Sequence, residues 1–124
     1  MPLSIAEMLA KKAAKVHEIK QRGYIFVFYE GRKIAEYTIR KERVTIGRTK
    51  NNDIMVRSRK VSRKHAQIIT VETDRVIEDC NSMNGTYLNE QLIKYHPLRS
   101  GDKIRIGEFD LKYLTREERG EETP

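Results

Sequence analysis

A serine and a histidine stand three residues apart between basic residues in VSRKHAQI, residues 61–68. Ser62 and His65 are the residue types that serve as nucleophile and general base in many hydrolases. The chain lacks a Gly-x-Ser-x-Gly elbow and offers no marked aspartate to orient the histidine. If a strand starts near Lys64, strand alternation also means that the two side chains need not face each other. We therefore predict that the chain is not an enzyme.

Metal and cofactor chemistry have equally little support. The histidines, His17, His65 and His96, show no metal-ligand spacing. Cys80 is the only cysteine, which excludes an internal disulfide and is typical of a reducing compartment. The chain has no long apolar run, and its first twenty residues lack the order of a signal peptide. We predict no metal, no cofactor, no membrane span and a cytoplasmic location.

Phosphate binding suits the polar segments better. A phosphate monoester needs several donors that converge on its oxygens; arginine supplies a planar fork, serine a hydroxyl, and loop N–H groups the remainder. Loops at one end of a β-sandwich can bring such groups together across large sequence gaps, although periodicity alone cannot show that they converge. The segments with suitable residues are Gly47-Arg48-Thr49, Ser62-Arg63, Asn81–Gly85 and Ser100-Gly101-Asp102.

The distribution of charge also favours an anionic partner. Residues 40–64 contain ten basic and two acidic side chains, a net charge of +8, whereas the whole chain carries +7. Such a surplus attracts acidic phosphopeptides and also nucleic acids. The absence of tryptophan, of a strand with interleaved stacking aromatics and of a groove-reading helix argues against nucleic acid.

Most of the elements that must position these residues are short strands. Alternating and β-branched segments are separated by turn residues such as Glu30-Gly31 and Asn84-Gly85, without intervening helices. This pattern predicts an all-β sandwich or barrel. The predicted strands are 24–30, 33–39, 43–47, 64–71, 75–79, 86–88, 103–107 and 109–114.

The first twenty residues differ from this pattern and predict one amphipathic helix. Ser4 and Glu7 form a capping box. Apolar residues then recur on one helical face: Ile5, Met8, Leu9, Val16 and Ile19. This face could pack on its own domain, mediate a dimer or partner contact, or lie on an anionic membrane surface.

Four blocks of the sequence resemble the forkhead-associated (FHA) domain. Residues 46–68, IGRTKNNDIMVRSRKVSRKHAQI, are similar to the family's Gly-Arg and Ser-Arg-x-His blocks. SMNGT at 82–86 matches Ser-x-Asn-Gly-Thr, and LRSGDKIRIG at 98–107 matches the family's late Gly-Asp stretch. Asn81 and Glu90 stand where the family often has glycine.

The resemblance implies an FHA-type β-sandwich of about eleven strands with one N-terminal amphipathic α-helix. It divides the chain into a helical extension, 1–22, an FHA domain, 23–114, and a flexible polar tail, 115–124. The implied function is a phosphorylation-dependent signalling adaptor that binds threonine-phosphorylated proteins downstream of a Ser/Thr kinase. The alternatives are an FHA-fold scaffold without phosphate recognition and a basic nucleic-acid-binding domain.

The resemblance also implies roles for individual residues. Arg48 would grip the phosphate, Ser62 would donate its hydroxyl to the same group, and Arg63 would make a further phosphate or peptide contact. Three residues of the SMNGT block would complete the site: Ser82 and Met83 as the lining of the phosphothreonine pocket, and Asn84 as a hydrogen-bond partner of the peptide main chain. Residues expected to support the site without touching ligand are Gly47, His65 and Gly85.

Overall fold

The computed structural model describes residues 4–7 and 22–116, and strands make up most of this part of the chain. Eleven strands occur in it, in agreement with the number that the resemblance to the FHA domain implies. Their bounds are β1 Gly23–Tyr29, β2 Arg32–Thr38, β3 Arg43–Gly47, β4 Ile54–Met55, β5 Ala66–Val71, β6 Asp74–Asp79, β7 Thr86–Leu88, β8 Gln91–Ile93, β9 Tyr95–Pro97, β10 Lys103–Ile106 and β11 Phe109–Thr115.

The strands form two sheets. One has the order β2-β1-β11-β10-β7-β8 and the other the order β4-β3-β5-β6-β9. Neighbouring strands are antiparallel except β3 and β4, which are parallel. This arrangement confirms the predicted all-β sandwich.

The core lies between the sheets and follows from alternation along the strands. In β10, Ile104 and Ile106 are fully buried while Lys103 and Arg105 are exposed. Isoleucines of β3, β5 and β6 join them in one apolar cluster. Each fully buried isoleucine stabilises the fold by about 1.5–3 kcal/mol through the apolar surface removed from water. The inward faces therefore hold the two sheets together.

Some predicted strand bounds require correction. The strand predicted for 64–71 begins at Ala66, because His65 turns its side chain into the molecule to bond the carbonyl of Gly85. The strands β4, β8 and β9 were missed, since two or three residues are too few to show a period of two. The last strand runs to Thr115, which pairs with Gly23, so the predicted tail would start inside β11.

At the end where β1 begins, Arg75 connects the two sheets. Its side chain is buried and donates from Nε to the Thr70 hydroxyl at 3.1 Å and from Nη1 to the Tyr113 hydroxyl at 3.0 Å. A Cβ at Gly23 would lie 2.7 Å from Arg75 Nη1, so the guanidinium occupies the space that a larger residue would need. This end of the sandwich is thus closed by polar contacts between the sheets.

The N-terminal helix begins as predicted. Residues 5–7 are helical, and Ser4 Oγ accepts a hydrogen bond from the Glu7 N–H at 3.1 Å. Ala6 is buried against Ile69 and Val76, whose side chains project from the outer face of the β5–β6 pair. These contacts favour packing of the helix on its own domain. The rest of the predicted helix and the tail beyond 116 lie outside the described residues.

Within residues 4–7 and 22–116, two features are absent. No helix there combines the length and the apolar character that crossing a membrane requires. No group of three or more histidine, cysteine, aspartate or glutamate side chains is arranged there to hold a metal ion.

Candidate phosphate-binding site

Three loops meet at one end of the sandwich. They are the 48–53 loop between β3 and β4, the 56–65 loop between β4 and β5, and the 80–85 loop between β6 and β7. In the sheet register Ile46 pairs with Ala66, and Ala66 pairs with Asp79. Because these paired residues lie where the strands meet the loops, the three loops emerge side by side.

Gly47 allows the first two loops to touch. A Cβ at this position would lie 2.1 Å from the carbonyl oxygen of Arg63, a distance that no side chain tolerates. The next residue, Arg48, donates its backbone N–H to the Ser62 carbonyl at 3.0 Å. The close approach needs a residue without a side chain at this position.

Side chains of the 48–53 loop hold this contact in place. Asn52 donates from Nδ2 to the Thr49 carbonyl at 3.0 Å and to the Arg63 carbonyl at 2.7 Å. Asp53 accepts from the Thr45 N–H at 2.9 Å. The ion pair and hydrogen bond with Lys41, 2.6 Å away, hold the pKa of Asp53 below its ordinary value. These contacts order the loop that carries Arg48.

Ser62 faces the 80–85 loop. Its Oγ accepts a hydrogen bond from the Met83 N–H at 3.0 Å. A serine hydroxyl both accepts and donates, and no described residue accepts its proton. The hydroxyl proton is therefore free for an anionic ligand.

His65 braces both loops from beneath. It is fully buried, its Nδ1 lies 3.1 Å from the Ser62 nitrogen, and its Nε2 lies 2.8 Å from the Gly85 carbonyl. Since a backbone N–H can only donate, Nδ1 is the acceptor and the proton resides on Nε2. The contact joins the imidazole to the backbone of Ser62, and no hydrogen bond joins the imidazole to the Ser62 hydroxyl among the described residues. The geometry is that of a support and not of a base bonded to a serine hydroxyl.

Asp79 organises the 80–85 loop. Its carboxylate accepts hydrogen bonds from the Ser82 N–H, the Ser82 hydroxyl and the Thr86 hydroxyl. Burial would raise the pKa of Asp79, but these hydrogen bonds lower it below its ordinary value of 3.8. Ser82 Oγ also accepts from the Gly85 N–H at 2.9 Å. The Ser82 hydroxyl thus serves the turn and has no proton left for a ligand in this conformation.

Asn84 and Met83 occupy the rim of the site. Asn84 donates from Nδ2 to the Lys60 carbonyl at 2.8 Å, which ties the 80–85 loop to the 56–65 loop. Its Oδ1 has no partner among the described residues and can accept an N–H of an extended peptide. The Met83 side chain is 88% exposed and points away from the packed network.

The departures from the glycine pattern occur at turns, as the sequence suggested. Asn81 has a φ of 56° and Glu90 a φ of 73°, the left-handed conformation that glycine adopts most easily. Asparagine tolerates this conformation well, while glutamate does so at a cost.

Sequence reasoning did not identify several residues of the site. Arg57 and Arg59 line a cleft together with Arg48, and Lys60 contributes the carbonyl that holds Asn84. Their only signal was the local excess of basic residues. Arg63 is exposed and lines a neighbouring depression, apart from the cleft that contains Arg48.

The nucleophilic side chains near the loops show no sign of activation. Burial raises the pKa of the Cys80 thiol, which keeps it protonated at neutral pH. The cysteine instead contributes its N–H to the His65 carbonyl at 2.9 Å.

Comparison with known proteins agrees with this geometry. A family model described as the FHA domain matches residues 44–107, just over half of the chain. The chain belongs to the FHA domain family. The matched FHA region includes the 48–53, 56–65 and 80–85 loops.

Curated relatives of this FHA chain are named as regulators. The glycogen accumulation regulator GarA of Mycobacterium tuberculosis is 36% identical over 76 residues, which cover 61% of this chain and 47% of GarA. The oxoglutarate dehydrogenase inhibitor of Corynebacterium efficiens is 35% identical over 80 residues, which cover 64% of this chain and 56% of the inhibitor. The chain thus spans about half the length of these relatives.

Solved structures share the fold. A structure from a study of phosphothreonine-dependent FHA domain interactions superposes with a TM-score of 0.68 at 26% identity and covers 75% of this chain and 95% of its own. Mycobacterium tuberculosis EmbR, in complex with a low-affinity phosphopeptide, gives a TM-score of 0.70 at 28% identity, with 88% of this chain and 28% of EmbR covered.

Proposed function

We propose that this FHA chain binds phosphothreonine peptides through the 48–53, 56–65 and 80–85 loops and acts as a phosphorylation-dependent interaction module. The observation that carries the proposal is that two side-chain donors without acceptors lie on neighbouring loops. The Ser62 hydroxyl proton has no acceptor, and the guanidinium of Arg48 has no carboxylate partner, among the described residues. The backbones of these two residues are hydrogen-bonded at 3.0 Å, so both donors belong to one rigid unit.

The roles follow from what each side chain has free. Arg48 binds the phosphate with its planar fork, and Ser62 donates its hydroxyl. Asn84 accepts from the peptide main chain through Oδ1 and thereby sets the peptide direction. Arg63, exposed on the far side of the loop, contacts phosphate or peptide only when the ligand extends toward it.

Two residues of the SMNGT block, Met83 and Ser82, contribute to the site in different ways. Met83 offers an exposed apolar side chain beside the site, suited to contact with the peptide or the threonine methyl group. Ser82 lines the site through the turn that it forms with Asp79, because its hydroxyl is already occupied. Its contribution to binding is therefore through loop shape.

The strength of binding can be bounded. A phosphothreonine carries about −1.5 to −2 charges at neutral pH. Each charge-assisted hydrogen bond to it contributes about 1.5–3 kcal/mol. Three or four such bonds support roughly micromolar affinity after the ordering of the peptide is subtracted. Burial of one methyl group adds ~1 kcal/mol of preference for phosphothreonine over phosphoserine.

The partner is a threonine-phosphorylated protein, which implies a Ser/Thr kinase upstream. The names of the relatives, a regulator and an inhibitor, favour a regulatory role over a catalytic one for this chain. A cytoplasmic location fits the single cysteine, which requires no oxidising compartment. Ala6, in the described residues 4–7, packs against Ile69 and Val76 of β5 and β6, which supports docking of the predicted helix on its own domain.

A binding assay tests the proposal. A degenerate phosphothreonine peptide library is titrated against the wild type and Arg48→Ala, with phosphoserine and unphosphorylated libraries as controls. We expect phosphothreonine-selective binding that Arg48→Ala reduces at least about tenfold, since a charge-assisted contact is lost. Lys112→Ala, which removes one exposed charge from β11 outside the three loops, serves as the matched control. Equal binding by Arg48→Ala and the wild type would reject the site.

A further inference from the structure

Residues 57–60 are forced to project from the sandwich beside Arg48. The valines on either side, Val56 and Val61, are each only 1% exposed and belong to the core. The Val56 N–H donates to the Gly47 carbonyl at 2.8 Å, and the Val61 N–H donates to the Ser58 carbonyl at 3.1 Å. With both ends anchored, the four residues between them form a short, ordered protrusion.

The side chains of this protrusion share a cleft with the 48–53 loop. The cleft is lined by Arg48 and Lys50 on one side and by Arg57 and Arg59 on the other, and Met55 forms part of its apolar wall. None of the described residues that line it is acidic. Four cations from two ordered loops thus surround one open space.

None of the four cations forms a salt bridge within the described part of the chain, where the salt bridges join Glu36 with Lys33, Asp53 with Lys41 and Asp110 with Arg105. The nearby carboxylate of Glu108 hydrogen-bonds the Ser58 side chain and does not line the cleft. Like charges around a cleft repel each other, and an anion in the cleft relieves that repulsion. Because the loops are already ordered, binding of the anion carries only a small entropic cost for ordering them.

The cleft holds more cations than one phosphate monoester requires. Arg48 and the Ser62 hydroxyl suffice to hold the first phosphate, which leaves Lys50, Arg57 and Arg59 without a ligand. Arg48 lines the cleft itself, so the two anion positions are contiguous. A single peptide that carries two anionic groups can therefore reach both.

We propose that Lys50, Arg57 and Arg59 form a second anion subsite, which selects phosphothreonine ligands that carry a further phosphate or a cluster of carboxylates nearby. This inference rests on the proposed phosphothreonine site. A peptide is favoured over nucleic acid because base recognition in single strands relies on aromatic stacking, and no aromatic side chain is among the described residues that line the cleft.

The test compares three phosphothreonine peptides and includes a short DNA as a further ligand. The first has neutral flanks, the second carries a phosphoserine scanned along both flanks, and the third carries aspartates at the same positions. Affinities are measured by fluorescence anisotropy for the wild type and for Arg57→Gln/Arg59→Gln. The control, Lys103→Gln/Lys112→Gln, removes the same charge from a cross-strand pair of exposed lysines far along the sheet.

At the best position we expect the second phosphate to tighten wild-type binding about tenfold, equivalent to ~1.4 kcal/mol. The control keeps this gain, and Arg57→Gln/Arg59→Gln loses it. Comparison of the second and third peptides shows whether phosphate or carboxylate supplies the anion. Thermal melting checks that both double variants stay folded, which their exposed positions favour.

Three outcomes would overturn the inference. If a second anion brings no gain in affinity at any position, the cleft has no role in binding, and the phosphothreonine site is unaffected by that result. Equal loss of the gain in both double variants means that net charge, and not the cleft, attracts the ligand. Tighter binding of a short DNA that depends on Arg57 and Arg59 assigns the cleft to nucleic acid. If the neutral-flank peptide and the doubly anionic peptides all fail to bind, the proposed function itself falls.

Discussion

Replacement of Ser62 by alanine separates ligand binding from folding. In the structure Ser62 Oγ is an acceptor for the Met83 N–H at 3.0 Å, and its proton is free. Ser62→Ala removes both the acceptor and the proton. The backbone contacts of Ser62, to the Arg48 N–H at 3.0 Å and to His65 Nδ1 at 3.1 Å, do not involve the hydroxyl and remain. The loop therefore keeps its path.

The two losses have different magnitudes. A hydroxyl that donates to a charged phosphate contributes about 1.5–3 kcal/mol, so the dissociation constant rises roughly 10- to 150-fold. The Met83 N–H belongs to an exposed residue, and water replaces the lost acceptor. We therefore expect the free energy of unfolding to fall by at most ~1 kcal/mol.

The assay pairs calorimetric titration of a phosphothreonine peptide with unfolding in urea. Ser100→Ala is the matched control, because Ser100 Oγ accepts the Thr115 N–H at 2.9 Å outside the three loops. It should match Ser62→Ala in stability and leave affinity unchanged. Ser62→Thr, which restores a hydroxyl, should recover part of the affinity. Unchanged affinity in Ser62→Ala would refute the assignment of the hydroxyl to the phosphate.

Three further substitutions test the support of the site and its turns. Gly47→Ala places a Cβ 2.1 Å from the Arg63 carbonyl, and urea unfolding should show a loss of about 1–3 kcal/mol; full stability would contradict the close approach. Asp79→Asn should destabilise the fold at neutral pH, and the difference in unfolding free energy between this variant and the wild type should shrink as the pH falls below 3.8. Folding lowers the pKa of this carboxyl, so its charged form stabilises the fold above its ordinary pKa, and this contribution is lost when the carboxyl is protonated. Urea titrations at neutral pH and near pH 3 measure it, and a constant difference would show that the carboxylate charge is not involved. Glu90→Gly relieves a φ of 73° and should raise the unfolding free energy by ~0.5–1 kcal/mol, a gain that Gln91→Gly, within β8, should not reproduce.

The longer strands could be predicted because their patterns are local. KIRIG alternates exposed cations with buried isoleucines, and RVTIG places Val44 and Ile46 inward. β4 has only two residues and depends on its parallel pairing with β3, a contact between segments that no local pattern records. The start of β5 was misplaced for a related reason, since His65 continues the apolar pattern as a buried residue but bonds the carbonyl of Gly85, twenty residues away.

The sequence by itself determined the residue types of the candidate site, the order of its blocks and the concentration of positive charge around them. It also determined where Gly47 must stand, although the reason, an approach to Arg63, was not visible. Tertiary structure decided which donors remain free. Ser62 and Ser82 have the same hydroxyl, but the Ser82 hydroxyl donates its hydrogen bond to Asp79, whereas the Ser62 hydroxyl meets only an N–H donor. The difference arises because strand pairing brings distant loops together, and the availability of a hydrogen-bonding group depends on neighbours in space and not on neighbours in the chain.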